Sequence, residues 1–181
     1  MSERILLIGN GPKATEQDRG VEIDAFKGSV ARFNNYTTKG YELQVGSRCD
    51  IWITLSNFSS PGKRSHKAVY LCREDKKEKL LQIQKTLGEG ALLIPSSARK
   101  ETALLMGHNH PSTGAIAVRY FSQQGWDVWV YGFDYLDPSR LHHYNKDGAD
   151  RGPWHSFEKE RALFERWHKE GKVQAFSEEN S

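Results

Sequence analysis

A glycine-rich turn directly after the first apolar run offers the clearest opportunity for ligand chemistry. Gly9, Gly11 and Ala14 follow the apolar residues 5–8 with the spacing of a dinucleotide-binding fingerprint. That interpretation requires an acidic residue roughly twenty positions later, where it would bind the ribose hydroxyls. The second apolar run ends instead in Asn34. The dinucleotide interpretation is therefore the weaker one, and it would make the protein a dehydrogenase.

Two asparagines supply an alternative. Asn10 lies inside the opening turn, and Asn34 follows the second apolar run. In open α/β sheets, ligands bind in the crevice outside the carboxyl ends of the strands. An asparagine side chain offers both donors and an acceptor, so it can bind a phosphate oxygen or a ribose hydroxyl. Either residue alone could simply support its turn, but the pair at equivalent strand ends favours ligand contact.

The segment Pro111 to Gly114 predicts a second part of the same site. It begins an apolar helix, where free backbone N–H groups and the hydroxyls of Ser112 and Thr113 form an anion or polar-ligand site. Gly114 allows close approach of a ligand to the backbone. An ordinary helix cap is the alternative. Gly132 ends a later apolar run and directs another loop to the same crevice.

Histidines provide the candidates for proton transfer near neutral pH. The polar segment beyond residue 134 carries three of them, His142, His143 and His155. His108 and His110 could form half of a zinc site, but their spacing is not supported by further ligands. We therefore assign these two residues and His168 to the structure or the surface.

The elements that must position these residues follow from the apolar patterning. Six short runs predict buried strands, at residues 4–10, 28–35, 49–56, 68–74, 90–97 and 126–134. Most of them do not alternate, which is typical of a parallel sheet covered on both faces. Helical patterns occupy 75–90, 112–125 and 156–171. The sequence thus predicts an α/β fold with a single Rossmann-like domain over residues 1–175, and a frayed tail over 176–181.

Composition narrows the functional classes. The chain has 181 residues and a net charge of +3, with acidic and basic residues mixed throughout. This mild basicity fits an anionic small ligand or a lipid surface and does not argue for nucleic acid. The apolar stretch at the N-terminus is too short for a signal peptide or a membrane span. Because the chain has only two cysteines, Cys49 and Cys72, we expect a reduced cytoplasmic protein; a single disulfide between them is the alternative.

The order of the motifs resembles the sialyltransferases of glycosyltransferase family 29, which carry four sialyl motifs. The large motif is similar to residues 6–53, with its Gly-Asn turn, Glu-Ile-Asp, Arg-x-Asn and Val-Gly-Ser. The small motif is similar to residues 110–134 and the third to residues 142–145. The very small motif, His followed by four residues and Glu, resembles His155 to Glu160. The opening turn and "RFNN" also resemble bacterial family 42 sialyltransferases.

Three departures from the family bear on what the resemblance implies. Cys49 and Cys72 do not lie where animal members form the disulfide between the large and small motifs, so we expect that bond to be absent. The third motif ends in Asn145, where an acid is common. The chain is also much shorter than animal members, which suggests a bacterial or viral enzyme with a reduced acceptor-binding region.

The resemblance implies a GT-A-type variant of the Rossmann-like fold and a CMP-activated sialic acid as donor. Asn10 and Asn34, with Gly9 and Gly11 in the same turn, would hold the phosphate and ribose. The residues Ser112, Thr113 and Gly114 would hold CMP or the sugar carboxylate. Gly132 and Phe133 would border the cytosine. No Asp-x-Asp motif occurs in the sequence, which agrees with a family that needs neither a divalent metal nor another cofactor.

The resemblance also assigns the catalytic groups. His143 and Tyr144 would donate hydrogen bonds to the leaving phosphate, with His142 as the competing choice because the doublet leaves the register open. His155 would be the general base that takes the proton of the acceptor hydroxyl. The helix that begins near Ser156 would help to keep its ring neutral. We expect Glu160 to have a structural role rather than a catalytic one.

The resulting prediction is an inverting glycosyltransferase acting on a glycan or glycolipid acceptor. Two alternatives keep the fold: transfer from CMP-Kdo or another CMP-sugar, and nucleotide binding without catalysis. A peripheral membrane contact and a homo-oligomer are compatible with the sequence. Acceptor, linkage and oligomeric state do not follow from it.

Overall fold

The computed structural model describes residues 2–55, 66–72, 78, 81–82, 84–85, 90–134, 144 and 156–177. Within them, seven strands form one sheet in the order β5-β4-β3-β2-β1-β6-β7. The strands are β1 Arg4–Ile8, β2 Ser29–Phe33, β3 Ile51–Thr54, β4 Ala68–Leu71, β5 Ala91–Leu93, β6 Asp127–Tyr131 and β7 Gln174–Ala175. All neighbouring pairs are parallel, with Ile8 opposite both Arg32 of β2 and Tyr131 of β6. The predicted α/β fold with a mostly parallel sheet is confirmed.

The helices are α1 Gly20–Ala25, α2 Glu42–Val45, α3 Ser96–Met106, α4 Thr113–Gln123 and α5 Phe157–Lys169, and a 3-10 turn spans Pro12–Thr15. The described residues between 78 and 85 are also helical. Each of the six predicted strands and each of the three predicted helices is thus confirmed over part or all of its length. Leu81, an apolar residue of the helix predicted at 75–90, is 57% exposed.

The sheet is covered on both faces, as its continuous apolar runs require. One face carries the larger core, in which the buried stripe of α4 and the side chains of Phe164 and Trp167 on α5 pack on the strands. The other face carries a smaller cluster, in which Phe26 lies against Trp129 and Phe176. Phe176 is therefore buried, although it lies within the range that we predicted as tail.

The patterning missed helix α3. Its buried residues Ala98, Thr102 and Met106 recur every four positions, but two of them are small or polar. Its two leucines, Leu104 and Leu105, are 81% and 40% exposed. An apolar stripe of the usual kind is therefore absent from the sequence of α3, and the helix depends on tertiary packing.

The strand order identifies the edge of the sheet at which a ligand would bind. The chain builds β1 to β5 outward on one side of β1 and then returns to place β6 on its other side. The turns after β1 and β6 consequently meet where the strand order reverses, which is where open α/β sheets bind ligands.

Candidate functional site

The turns after β1 and β6 are held together by backbone contacts between glycines. The N–H of Gly9 donates to the carbonyl oxygen of Tyr131 at 2.8 Å, and that of Gly11 donates to Gly132 at 3.1 Å. Gly132 has a φ of +68°, and a Cβ there would lie 2.5 Å from the Cβ of Ala14. A Cβ on Gly9 would strike the carbonyl oxygen of Gly132. The glycines therefore allow two turns to pack directly on each other.

Asn10 and Asn34 lie at this edge, as predicted, and both connect neighbouring strands. The Nδ2 of Asn10, a buried side chain, donates to the carbonyl of Phe33 at 3.1 Å. Asn34 adopts a left-handed φ of 50°, and its Oδ1 accepts the N–H of Leu55 at 3.0 Å. The indole of Trp52 donates to the Asn34 carbonyl at 2.7 Å. Each amide thus has a structural partner, while its contact with a ligand stays a prediction.

The 3-10 turn that follows Gly11 already carries an anionic partner. The backbone N–H of Lys13 donates to Oδ1 of Asp134 at 2.9 Å. A dinucleotide pyrophosphate needs these N–H groups at the start of the first helix, and here it would meet a carboxylate. The geometry therefore weighs against the dinucleotide interpretation, as does the absence of an acid after β2.

Helix α4 begins at the same edge, and its cap is fixed from a distant part of the chain. Ser112 is the N-cap, and its hydroxyl accepts the N–H of Ala115 at 3.1 Å. The same hydroxyl donates to Oε1 of Glu160 at 2.6 Å, while the Ser112 N–H donates to Oε2 at 3.0 Å. The Glu160 carboxylate therefore binds Ser112 through both oxygens and joins the first turns of α4 and α5.

The next two residues of α4 keep their hydrogen-bonding groups available. Among the described residues, no acceptor contacts the N–H groups of Thr113 and Gly114 or the Thr113 hydroxyl. Thr113 is nevertheless buried, with 8% of its surface exposed. A helix N-terminus in this state favours an anion, because both the N–H groups and the helix dipole point at it.

Phe133 links the α4 N-terminus to the sheet. Its ring lies against Gly114, where any Cβ would collide with it. The ring also makes edge contact with Phe33 at a centroid distance of 5.8 Å and a tilted contact with Phe164 at 5.4 Å. Phe133 thus lies beside Gly114, while the contact of Gly132 and Phe133 with a donor stays a prediction.

Tyr144 packs over the same edge. Its backbone N–H donates to the carbonyl of Asn10 at 2.9 Å, and its hydroxyl donates to the carbonyl of Thr37. The ring lies 4.8 Å from that of Tyr41. Burial raises the pKa of the Tyr144 phenol, with the positive charge of Arg32 opposing the shift. The predicted hydrogen bond from Tyr144 to a phosphate stays a prediction, and it would require the hydroxyl to leave Thr37.

The histidines of the predicted catalytic set, His142, His143 and His155, lie outside the described residues. Their roles stay predictions. Ser156, the residue after His155, is the N-cap position of α5. His108 and His110 lie with their ring centroids 5.9 Å apart. In the part of the chain that the structure describes, no group of three or more His, Cys, Asp or Glu side chains could hold a metal ion.

The structure explains two motif pieces that the sequence did not interpret physically. The Asp24 carboxylate accepts the N–H groups of Ser47 and Arg48 and the Ser47 hydroxyl, at 2.8 to 3.0 Å. Burial opposes its ionised form, but these donors outweigh burial and lower the pKa of Asp24. Gly46, with a φ of +66°, places its Cα against this carboxylate. Glu-Ile-Asp and Val-Gly-Ser are therefore two halves of one structural contact.

The first residue of the Arg-x-Asn piece, Arg32, is also structural. Arg32 is 1% exposed, and its guanidinium donates to the carbonyls of Arg48, Val45 and Gly46. Burial lowers its pKa, whereas nearby Cys49, Tyr144, Tyr36 and Asp24 favour the charged form. Its position in the middle of an apolar strand was the only sign of this role in the sequence.

Comparison with known proteins gives a structural answer only. No protein-family model and no curated protein matches the sequence. A mammalian sialyltransferase solved in complex with Gal-beta-1-3GalNAc-ortho-nitrophenol superposes with a TM-score of 0.76 at 20% identity, covering 97% of this chain and 69% of that one. A second mammalian sialyltransferase structure gives 0.73 at 21% identity with the same coverage. The protein has a sialyltransferase-like fold.

Proposed function

We propose that the protein is an inverting, metal-independent glycosyltransferase that moves sialic acid from CMP-sialic acid to a glycan hydroxyl. The single observation that carries the proposal is the available N-terminus of α4 in a sialyltransferase-like fold. It lies at the carboxyl edge of the sheet, beside the turn that ends β6. This is the position at which open α/β sheets bind nucleotides.

The α4 N-terminus suits the anionic parts of the donor. The N–H groups of Thr113 and Gly114 and the Thr113 hydroxyl would bind the phosphate or the sugar carboxylate. The Phe133 ring, already fixed between Phe33 and Phe164, would border the cytosine. Glu160 would act indirectly, by fixing the cap residue Ser112 and hence the direction of the free N–H groups.

The chemistry needs one proton transfer and stabilisation of one leaving group. The acceptor oxygen forms a bond to the anomeric carbon as the bond from that carbon to the phosphate oxygen breaks. The electron pair leaves with CMP, whose growing charge the α4 N–H groups, His143 and Tyr144 would stabilise. His155 would take the hydroxyl proton. Attack opposite the leaving phosphate inverts the anomeric centre.

Ligand-induced stabilisation tests the donor assignment. Thermal unfolding is measured with CMP, CDP, UDP and NAD, each with and without EDTA. A ligand at a hundred times its dissociation constant adds about 2.7 kcal/mol to the free energy of unfolding. We expect CMP to raise the unfolding temperature regardless of EDTA. No shift with CMP, or a larger shift with NAD, would overturn the proposal.

The base assignment is tested separately. His155→Ala should abolish transfer while CMP still stabilises the protein. His168→Ala, a change at an exposed histidine of α5, the helix that follows His155, is the matched control and should retain transfer. Turnover at the wild-type rate in His155→Ala would exclude this residue as the base.

Comparing hydrolysis of CMP-sialic acid with that of CMP-Kdo identifies the donor sugar.

A further inference from the structure

The last turn of α3 exposes two adjacent large apolar side chains. Leu104 is 81% exposed and Leu105 is 40% exposed; together we call them the leucine pair. Single exposed apolar side chains are ordinary on protein surfaces. Two adjacent ones surrounded by charged groups indicate an interaction surface.

Cations from a second helix lie directly against the leucine pair. Nζ of Lys159 donates to the carbonyl of Gly107 at 2.7 Å, and Arg166 donates to the carbonyl of Leu105 at 3.0 Å. Both side chains come from α5. Carbonyl groups do not neutralise these charges, so the leucine pair lies in a positive field.

Helix α3 adds one more cation in the turn before the pair, Lys100. Lys100 is four residues before Leu104 and so lies on the same side of the helix. The neighbouring Glu101 pairs with Arg119 at 2.7 Å, and Glu165 on α5 pairs with Arg161 at 2.9 Å. Glu158 is the exposed acid of the first turn of α5. Basic groups therefore outnumber the uncompensated acids around the leucine pair.

The leucine pair lies next to the candidate site. Lys159, which contacts Gly107, is followed in α5 by Glu160, which binds Ser112. The two contacts arise from consecutive residues of one helical turn. The surface around Leu104 and Leu105 and the N-terminus of α4 consequently lie on neighbouring parts of the molecule.

We propose that the leucine pair and its three cations, Lys100, Lys159 and Arg166, form a docking surface for an anionic lipid bilayer. The leucines would enter the boundary between headgroups and acyl chains, while the cations would bind anionic headgroups. Two leucines are too few for the core of a stable protein interface, which buries about 800 Å² per partner. Docking would bring the α4 N-terminus to lipid-linked glycans, a use that rests on the proposed function.

The protein contains a matched apolar pair with the opposite charge around it. Val21 on α1 is 83% exposed and Leu43 on α2 is 70% exposed. Glu42 precedes Leu43, and Asp18 accepts the side chain of Gln44, whereas Glu22 pairs with Arg19 at 3.1 Å. An anionic bilayer would repel these acidic groups. The second pair therefore tests whether exposed apolar area is sufficient for binding without nearby cations.

Vesicle co-sedimentation of the full chain tests the proposal, with phosphatidylcholine vesicles compared with vesicles that also contain phosphatidylserine. We expect binding only to the second kind, and less of it at high salt because exposed charges are screened. Leu104→Ser/Leu105→Ser should lower the binding by about tenfold or more, in proportion to the lost apolar insertion. Val21→Ser/Leu43→Ser should bind as the wild type does.

Three outcomes would overturn the proposal: no binding of the wild type to anionic vesicles, equal losses in the two double variants, or a change of oligomeric state in the Leu104/Leu105 variant without vesicle binding. Stabilisation by CMP is measured on the same samples. If CMP fails to stabilise while anionic vesicles bind, the proposed function fails and the docking surface stands. With both intact, the Leu104/Leu105 variant should lose transfer to a vesicle-embedded glycolipid but not to the same free oligosaccharide.

Discussion

The strand turns and the N-terminus of α4 are two parts of one edge, but they differ in how many hydrogen-bonding groups remain available. At the strand turns, Gly9, Gly11, Asn10 and Lys13 all donate to other parts of the protein. At α4, Ser112 and Ala115 are engaged, but the N–H groups of Thr113 and Gly114 have no acceptor among the described residues. The turns therefore act mainly as a scaffold, whereas the helix N-terminus is equipped for an anionic ligand.

This contrast changes the meaning of the opening motif. A glycine-rich turn after a first strand is usually considered a phosphate-binding element. Here its glycines permit contact between two turns, and the N–H of Lys13 donates to the Asp134 carboxylate. A motif of this kind predicts tight backbone packing, and only its surroundings decide whether a ligand takes part.

The largest expected effect comes from disturbing the scaffold. Gly132→Ala places a Cβ against Ala14 at a φ of +68°, so it combines backbone strain with overpacking. We expect a loss of about 2 to 4 kcal/mol in the free energy of unfolding, measured by urea denaturation. Gly40→Ala is the matched control: its φ is +83°, but nothing lies within 4 Å of the added Cβ. A similar loss in both variants would contradict the packing argument.

The next effect separates fixing of the helix cap from general stability. Glu160→Ala removes both acceptors of Ser112 at a buried position. We expect it to lower the free energy of unfolding by about 1.5 to 3 kcal/mol. In addition, CMP should raise the unfolding temperature of this variant by less than it raises that of the wild type. Glu165→Ala on the same helix removes an exposed pair with Arg161 and should cost no more than about 0.5 kcal/mol. Full CMP stabilisation in Glu160→Ala would show that the cap does not orient the ligand-binding groups.

The two asparagines offer a sharper comparison at the strand ends. Asn10→Asp replaces the Nδ2 donor to Phe33 with a carboxylate oxygen, and we expect a loss of about 1 to 3 kcal/mol in stability. Asn34→Asp keeps an acceptor for the N–H of Leu55 and tolerates the left-handed backbone. Its stability should change by less than about 1 kcal/mol. If Asn34 also contacts the donor, its Asp variant should bind CMP more weakly, as measured by calorimetry.

The smallest expected effect is a pH dependence of the scaffold. The pKa of Asp24 is lowered as described above. For Asp50, burial opposes ionisation, but the Val30 N–H and the Lys67 and Arg48 side chains prevail and lower the pKa. A carboxyl group whose pKa is lower in the folded state stabilises the fold above its unfolded value of about 3.9 and loses that contribution as pH falls through the folded value.

Urea denaturation between pH 3 and pH 6 should therefore show stability falling at the acidic end, with a smaller slope in Asp50→Asn. An unchanged slope in that variant would mean that Asp50 keeps its ordinary pKa.

The thiols provide an independent check of burial. Burial raises the pKa of Cys72 to about 12, so Cys72 should resist alkylation at pH 8 until the protein unfolds. In the described part of the chain, Cys49 and Cys72 do not form a disulfide.

Much of the fold followed from the sequence by itself. Continuous apolar runs determined the first six strands, because a strand covered on both faces has no polar alternation. The cap residue and Gly125 marked α4 in the same local way. These features depend on neighbours along the chain, which is why the sequence alone revealed them.

The partners of the site residues were decided only by the tertiary structure. Ser112 meets Glu160 across 48 positions, and Lys13 meets Asp134 across 121. Helix α3 and the strand β7 likewise arise from packing, since neither has a clear apolar pattern of its own. The sequence identified which residues could bind an anion. The folded chain determined which of them remain available, because a hydrogen-bonding group that is satisfied by a distant residue leaves no mark on its local sequence.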